Sequence, residues 1–151
     1  MMKKESLKKI LKYLSKEFVL FLIGGLIYVC IEILVRGFSH WSMFIVGGLC
    51  FVIIGLLNEF YTWKMLFQTQ CLIGAVVITV LEFISGYIVN IKLGWDVWDY
   101  SDRVFNLMGQ ICLKNSIYWI FLSGIAIIVD DVIRHRFFHE KYPKYIFIHD
   151  D

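Results

Sequence analysis

The chain has 151 residues, 59% of them hydrophobic and 19% charged, with a net charge of +2 and a mean hydropathy of +0.69. Soluble domains run at about 45–50% apolar and about 25% charged residues. The excess here falls in blocks between short polar segments, so an ordinary soluble domain is excluded and a membrane protein expected. The length allows one bundle and no separate soluble domain. There is no Walker A pattern, so the chain does not itself hydrolyse a nucleotide through a P-loop. No nucleic-acid partner is expected.

Residues 1–17 form a basic segment. Lys3, Lys4, Lys8, Lys9, Lys12 and Lys16 precede the first apolar block. This could pass for the start of a signal peptide, but the block that follows exceeds the ~7–15 residues of a signal core and contains Glu32. It therefore reads as an uncleaved membrane helix. Residues 7–18 are open between an amphipathic helix on the anionic inner leaflet and a solvated tail.

Apolar blocks follow at 18–35, 42–60, 70–89 and 116–133. Each is close to the ~20 residues an α-helix needs to span hydrocarbon, and the alternation of a barrel strand is absent. The expected fold class is all-α: an integral membrane bundle of four transmembrane helices. Residues 18–133 form this domain, 134–151 a C-terminal tail, and 90–115 an external loop with an amphipathic or re-entrant segment before the fourth helix. Eleven basic residues fall on the side of the two termini and four on the other. The positive-inside rule then places both termini in the cytoplasm of a multi-pass cell-membrane protein.

The first and third blocks share a pattern. Ile23-Gly24-Gly25 is followed by Glu32, and Ile73-Gly74-Ala75 by Glu82, at the same offset. Seven residues make nearly two turns, so each glutamate shares a face with a small residue. Small residues let membrane helices approach closely. Both carboxylates should face the bundle interior at similar depth, and intramembrane acids are rarely left without a partner, a cavity or a task. A proton- or cation-linked site and a structural pair of carboxylates both fit. Asn58 and Glu59 close the second helix, and Asp130 and Asp131 the fourth. They read either as headgroup-layer end residues or as a cytoplasmic acidic mouth.

No chemistry beyond this stands out. Cys30, Cys50, Cys71 and Cys112 form no close pair, so neither a disulfide framework nor a zinc site is expected. His139-Glu140 begins like HExxH, but Pro143 occupies the place of the second histidine. No metal, no cofactor and no enzymatic activity are expected.

The third connection is dense in Trp, Asp and Tyr. From Arg103 onward Asn106, Gln110 and Lys114 recur every four residues, which is one polar stripe on an otherwise apolar helix. The segment reads as an interfacial helix, a re-entrant segment or a polar extension of the fourth helix, and in the last two cases the stripe would face the glutamates. The run Trp98-Asp99-Tyr100-Ser101, then Asn106-Leu107-Met108-Gly109-Gln110-Ile111-Cys112-Leu113 and Trp119, resembles the signature of a bacterial family of small membrane proteins. That family is labelled putative ABC-transporter type IV, or CmpB-like, and the resemblance spans residues 20–135. Lys114 departs from the pattern, where an apolar or small residue is expected. The resemblance implies a helical membrane protein and a transporter component, with an ATPase as a possible partner. The residues themselves offer such a partner only a short cytoplasmic connection, 61–68, and the two tails.

The expected function is a transporter-type component that moves or binds an ion or small solute. Glu32 and Glu82 would be its carboxylates, Asn106 and Gln110 neutral hydrogen-bonding groups, and Lys114 a nearby cation. Trp98, Asp99 and Tyr100 would shape the external loop. Four helices enclose little polar volume, so a homo-oligomer or a partner membrane subunit is expected in the lipid bilayer. The alternative is a non-transporting scaffold or regulatory subunit that binds lipid or protein. A continuous polar path from the glutamates to a surface favours transport, and a sealed hydrogen-bonded arrangement favours the scaffold.

Overall fold

Helices dominate the computed structural model, which describes residues 2–61, 65–141 and 144–148. The side chains of residues 2–4, 58, 60 and 61 lie outside this description. Helix α1 spans Met2–Arg36, α2 Trp41–Tyr61, α3 Phe67–Gly86 and α4 Leu113–Phe138. A π-helical turn, Tyr87–Lys92, extends α3. The all-α membrane class holds. Among the described residues three helical stretches are long and apolar enough to cross a membrane: Glu5–Arg36, Phe67–Lys92 and Leu113–Phe138. A shorter apolar helix covers Trp41–Leu57. Only 22% to 33% of the three long apolar windows is buried within the protein. Water would not tolerate that much exposed apolar helix, and lipid does.

Helix α1 does not begin at Phe18. It runs unbroken through the basic segment, and Leu7, Ile10, Leu11 and Leu14 stand exposed along it at helical spacing. Gly37, in the left-handed region at φ 80°, ends it.

The chain divides into two compact units, Met1–Val52 and Ile53–Asp151. In the first, α1 and the start of α2 meet through paired glycines. A Cβ on Gly24 would strike Phe51, and one on Gly25 the Phe44 carbonyl at 2.6 Å. In return, one on Gly47 would strike Tyr28, and one on Gly48 the Phe21 carbonyl at 2.6 Å. The two glycine pairs let the backbones close up. This is the small-residue packing that replaces the hydrophobic effect where the solvent is lipid.

In the second unit α3 and α4 run antiparallel. Gly74 leaves room for Ser123, whose hydroxyl donates to the Cys71 carbonyl at 2.7 Å. Ile54, Ile78 and Ile127 complete this core. Helix α4 stops where His139 turns left-handed (φ 57°) and its N–H returns to the Arg134 carbonyl. The tail then comes back onto the start of α3. The Phe67 N–H donates to the Ile146 carbonyl at 2.8 Å, and the Phe67 ring packs against Tyr145 and Phe147.

The segment before α4 corrects one expectation. The four-residue recurrence of Asn106, Gln110 and Lys114 is not a helical stripe. The chain forms a small antiparallel hairpin, β1 (Asn106–Leu107) and β2 (Ile111–Cys112), with Asn106 opposite Cys112 and Leu107 opposite Ile111. Phe105, Met108 and Gly109 all have positive φ, at 54°, 53° and 68°, which no right-handed helix can contain. The Asn106 amide knits this shape. It donates to the carbonyls of Ser101 (3.3 Å) and Arg103 (2.8 Å) and accepts the Gly109 N–H at 3.0 Å. Asparagine competes in this way with helical bonding wherever its side chain reaches nearby backbone.

Candidate functional site

Glu82 is the centre of the second unit's polar chemistry. It lies on α3 with 2% of its surface exposed. One carboxylate oxygen accepts the Trp119 indole N–H from α4 at 2.8 Å, and the other the Tyr100 hydroxyl from the loop at 3.2 Å. Two elements that enclose the end of α3 thus grip one carboxylate. One helical turn nearer the core, the Thr79 hydroxyl donates to Ser116 at 3.3 Å, extending the polar seam between α3 and α4.

Above Glu82 the loop is locked by Asn90. The π-helical turn carries this side chain into the interior. Such turns concentrate at functional positions because they rotate a residue out of the α-helical register. The Asn90 amide donates to the Trp98 carbonyl (2.9 Å) and to Gln110 Oε1 (2.8 Å), and its oxygen accepts the Val97 N–H (2.8 Å). The Trp98 indole donates to the Gln110 carbonyl at 3.0 Å, and Gln110 Nε2 to the Met108 carbonyl at 2.9 Å. Gly86 leaves the space this knot fills, since a Cβ there would meet Gln110 Oε1 at 2.5 Å and the Trp98 ring at 2.8 Å.

Asp99 and Gly109 close the outer side. The Ser101 hydroxyl donates to Asp99 at 2.7 Å and its N–H at 2.8 Å. These bonds, the hydroxyl's first, hold the exposed Asp99 carboxyl below its ordinary value. A depressed carboxylate contributes stability that is present above the unfolded value of about 3.9 and lost as pH falls through the folded value. Ser101→Ala is therefore expected to raise the Asp99 titration midpoint towards the ordinary range. An NMR titration of the Asp99 carboxyl checks this, and an unmoved midpoint would refute the role of the hydroxyl.

Glu32 stands in the first unit with its own partners. Arg36 Nη1 donates to it at 2.7 Å and the Ser39 hydroxyl at 2.6 Å, while the guanidinium lies 4.6 Å from the Phe38 ring centre. Glu32 and Glu82 thus belong to different units, and each has hydrogen-bond donors within its own.

The other expected site residues scatter. Gln110 and Trp98 are buried in the knot, Tyr100 reaches Glu82, and Asn106 shapes the hairpin. Lys114 is exposed, its ammonium 5.8 Å from the Tyr118 ring centre. Glu59 is exposed, and the Asn58 side chain lies outside the described residues. Asp130 is fully buried and paired with Arg134 (2.5 Å), and Asp131 accepts from Tyr145 at 2.8 Å. Asp130 also presses against Gly55 of α2, where any Cβ would collide with its carboxylate. This C-terminal part of α4 is thus an ion-paired packing centre as well as an acidic one.

Sequence reasoning missed Asn90, Trp119, Arg36 and Ser39. Arg36 was legible, because it stands four residues after Glu32 and completes an i,i+4 pair once the helix runs through it. Trp119 lies 37 residues from Glu82, and only packing joins them.

Residues 18–148 match the family model described as Putative ABC-transporter type IV. No curated protein and no solved structure matches the chain.

Proposed function

Because the chain belongs to the putative ABC-transporter type IV family, we propose that it is the multi-pass membrane component of a transporter for an ion or small solute. Glu82 serves as the binding or coupling carboxylate. The observation that carries this reading is a buried carboxylate gripped between two helices and a loop, on an apolar helix long enough to span the membrane. A carboxylate in that setting is costly and is retained for a task. Glu32, tied to Arg36, supports the fold of the first unit in this reading rather than the transport step. An ATPase or a second membrane subunit would act on the docked tail at the start of α3, the built surface at that end of the second unit.

The expected result in proteoliposomes is pH-dependent solute or proton flux that Glu82→Gln abolishes while the variant keeps its fold. Flux equal to wild type in Glu82→Gln would overturn the role. A second reading, a non-transporting scaffold, is favoured by the closure of the Asn90–Trp98–Gln110 knot over Glu82. It expects no flux in either protein and equal or higher stability in Glu82→Gln.

The basic asymmetry supports termini in the cytoplasm and residues 90–115 outside. A cysteine probe at Asp102, in a cysteine-free background, should react with an impermeant maleimide added outside intact cells. Reaction only after the inner face is opened would reverse the orientation.

A further inference from the structure

The outer face of the hairpin is apolar, and nothing in the family match or in the Glu82 chemistry uses it. Val104 and Phe105 are each 77% exposed, and Leu107 and Met108 stand out beside them. A regular strand sends alternate side chains to opposite faces. Here two adjacent pairs share the outside because Phe105 and Met108 sit in the left-handed region. That conformation is unfavourable for a residue with a Cβ. Strain of this kind persists where the surrounding structure enforces it, and it clusters at functional segments. The polar side of the same segment is spent inward, on Asn106, Gln110 and Asn90.

What covers the apolar side is indicated by its continuity with α4. The Leu113 N–H, at the first residue of that helix, donates to the Phe105 carbonyl at 3.2 Å. From Leu113 an exposed stripe runs through Ile117, Phe121, Ile125, Ile128 and Val132, at three- and four-residue spacing along a helix long enough to cross the membrane. That hydrogen bond ties the backbone of the exposed Phe105 to the start of the stripe. Two lysines mark the same end. Lys92 lies 5.8 Å from the Tyr87 ring centre at the close of the π-helical turn, and Lys114 stands equally far from Tyr118 on the first turn of α4. Lysine over tyrosine at a helix end suits the membrane–water boundary, where the ring meets the headgroups and the ammonium reaches phosphate.

We propose that the hairpin is a lipid-inserted anchor: Val104, Phe105, Leu107 and Met108 enter the leaflet at this end of α3 and α4, and Lys92 and Lys114 meet lipid phosphates beside them. The Asn90 knot makes the anchor rigid. It therefore ties the loop that grips Glu82 to the bilayer surface.

The test places a photoreactive residue, Phe105→p-azidophenylalanine, in the full chain reconstituted in vesicles of phosphatidylethanolamine and phosphatidylglycerol. The same residue at Phe121, in the middle of the α4 stripe, is the lipid-facing reference, and at Asp102, on the polar side of the loop, the aqueous one. After irradiation, intact-mass analysis should find phospholipid adducts at 105 at a level comparable to 121, and only background at 102. Background at 105 with strong adducts at 121 overturns the anchor, and so does a cross-link from 105 to a second copy of the chain. Should the variant at 105 fail to fold, the same residue at Val104 carries the same expectation. Either result is read without any measurement of transport.

Discussion

Asn90→Ala is expected to unlock the whole loop between the π-helical turn and α4. One side chain serves three buried groups: the Val97 N–H, the Trp98 carbonyl and Gln110 Oε1. Each buried group left without its partner costs about 1–3 kcal/mol, so the combined loss is upwards of about 3 kcal/mol. The loss should appear as a lower midpoint of thermal unfolding in detergent. It should also red-shift the fluorescence of Trp98, which is 5% exposed, packs on Gly86 and hydrogen-bonds within this knot. Asn90→Asp is no rescue, since it keeps the acceptor for Val97 but loses both donated bonds and adds a charge. Asp102→Asn, on a side chain 70% exposed, is the silent control. Equal unfolding midpoints for Asn90→Ala and Asp102→Asn would refute the knot.

Arg134→Leu carries the other large effect. Its guanidinium and the Asp130 carboxylate face each other at 2.5 Å on successive turns of α4, both out of contact with solvent. Removing one member of a buried ion pair leaves a charge that the interior cannot solvate, and typically costs about 3–5 kcal/mol. Gly55 packs directly on that carboxylate, so it has no room to rotate away. The double variant Asp130→Asn with Arg134→Leu should recover most of the loss, because an uncharged pair removes the penalty along with the attraction. The thermal midpoints of the two proteins decide the matter. A single variant as stable as wild type would show that the pair is not a structural centre.

These two sites also mark the boundary of what a linear reading can reach. Gly24-Gly25 and Gly47-Gly48 are visible as small pairs in apolar blocks, and the close approach they permit follows from packing in lipid. Asn90 carries no comparable signal. It is one polar residue at the edge of an apolar block, and its role depends on a π-helical turn that shifts its direction. Asn106 and Gln110 misled for a definite reason. Their four-residue spacing has the period of a helix, yet the same spacing spans the hairpin turn. The left-handed residues between them reveal which is realised, and of these only Gly109 is a type that announces it.

The sequence by itself determined the membrane class, the four helices and the family. Those depend on hydropathy summed over ~20-residue windows and on a local motif, both of which survive ignorance of partners. It also marked Glu82 as costly, since a carboxylate in an apolar span is anomalous in any fold. Only the tertiary structure decided who meets that carboxylate. Tyr100 and Trp119 reach it from segments 18 and 37 residues away. It also brought Ser39 to Glu32, turned the stripe into a hairpin, and brought the tail back onto α3. Hydrogen bonds between distant segments depend on where the backbone places both groups to within a few tenths of an ångström, and no local pattern of residues carries that information.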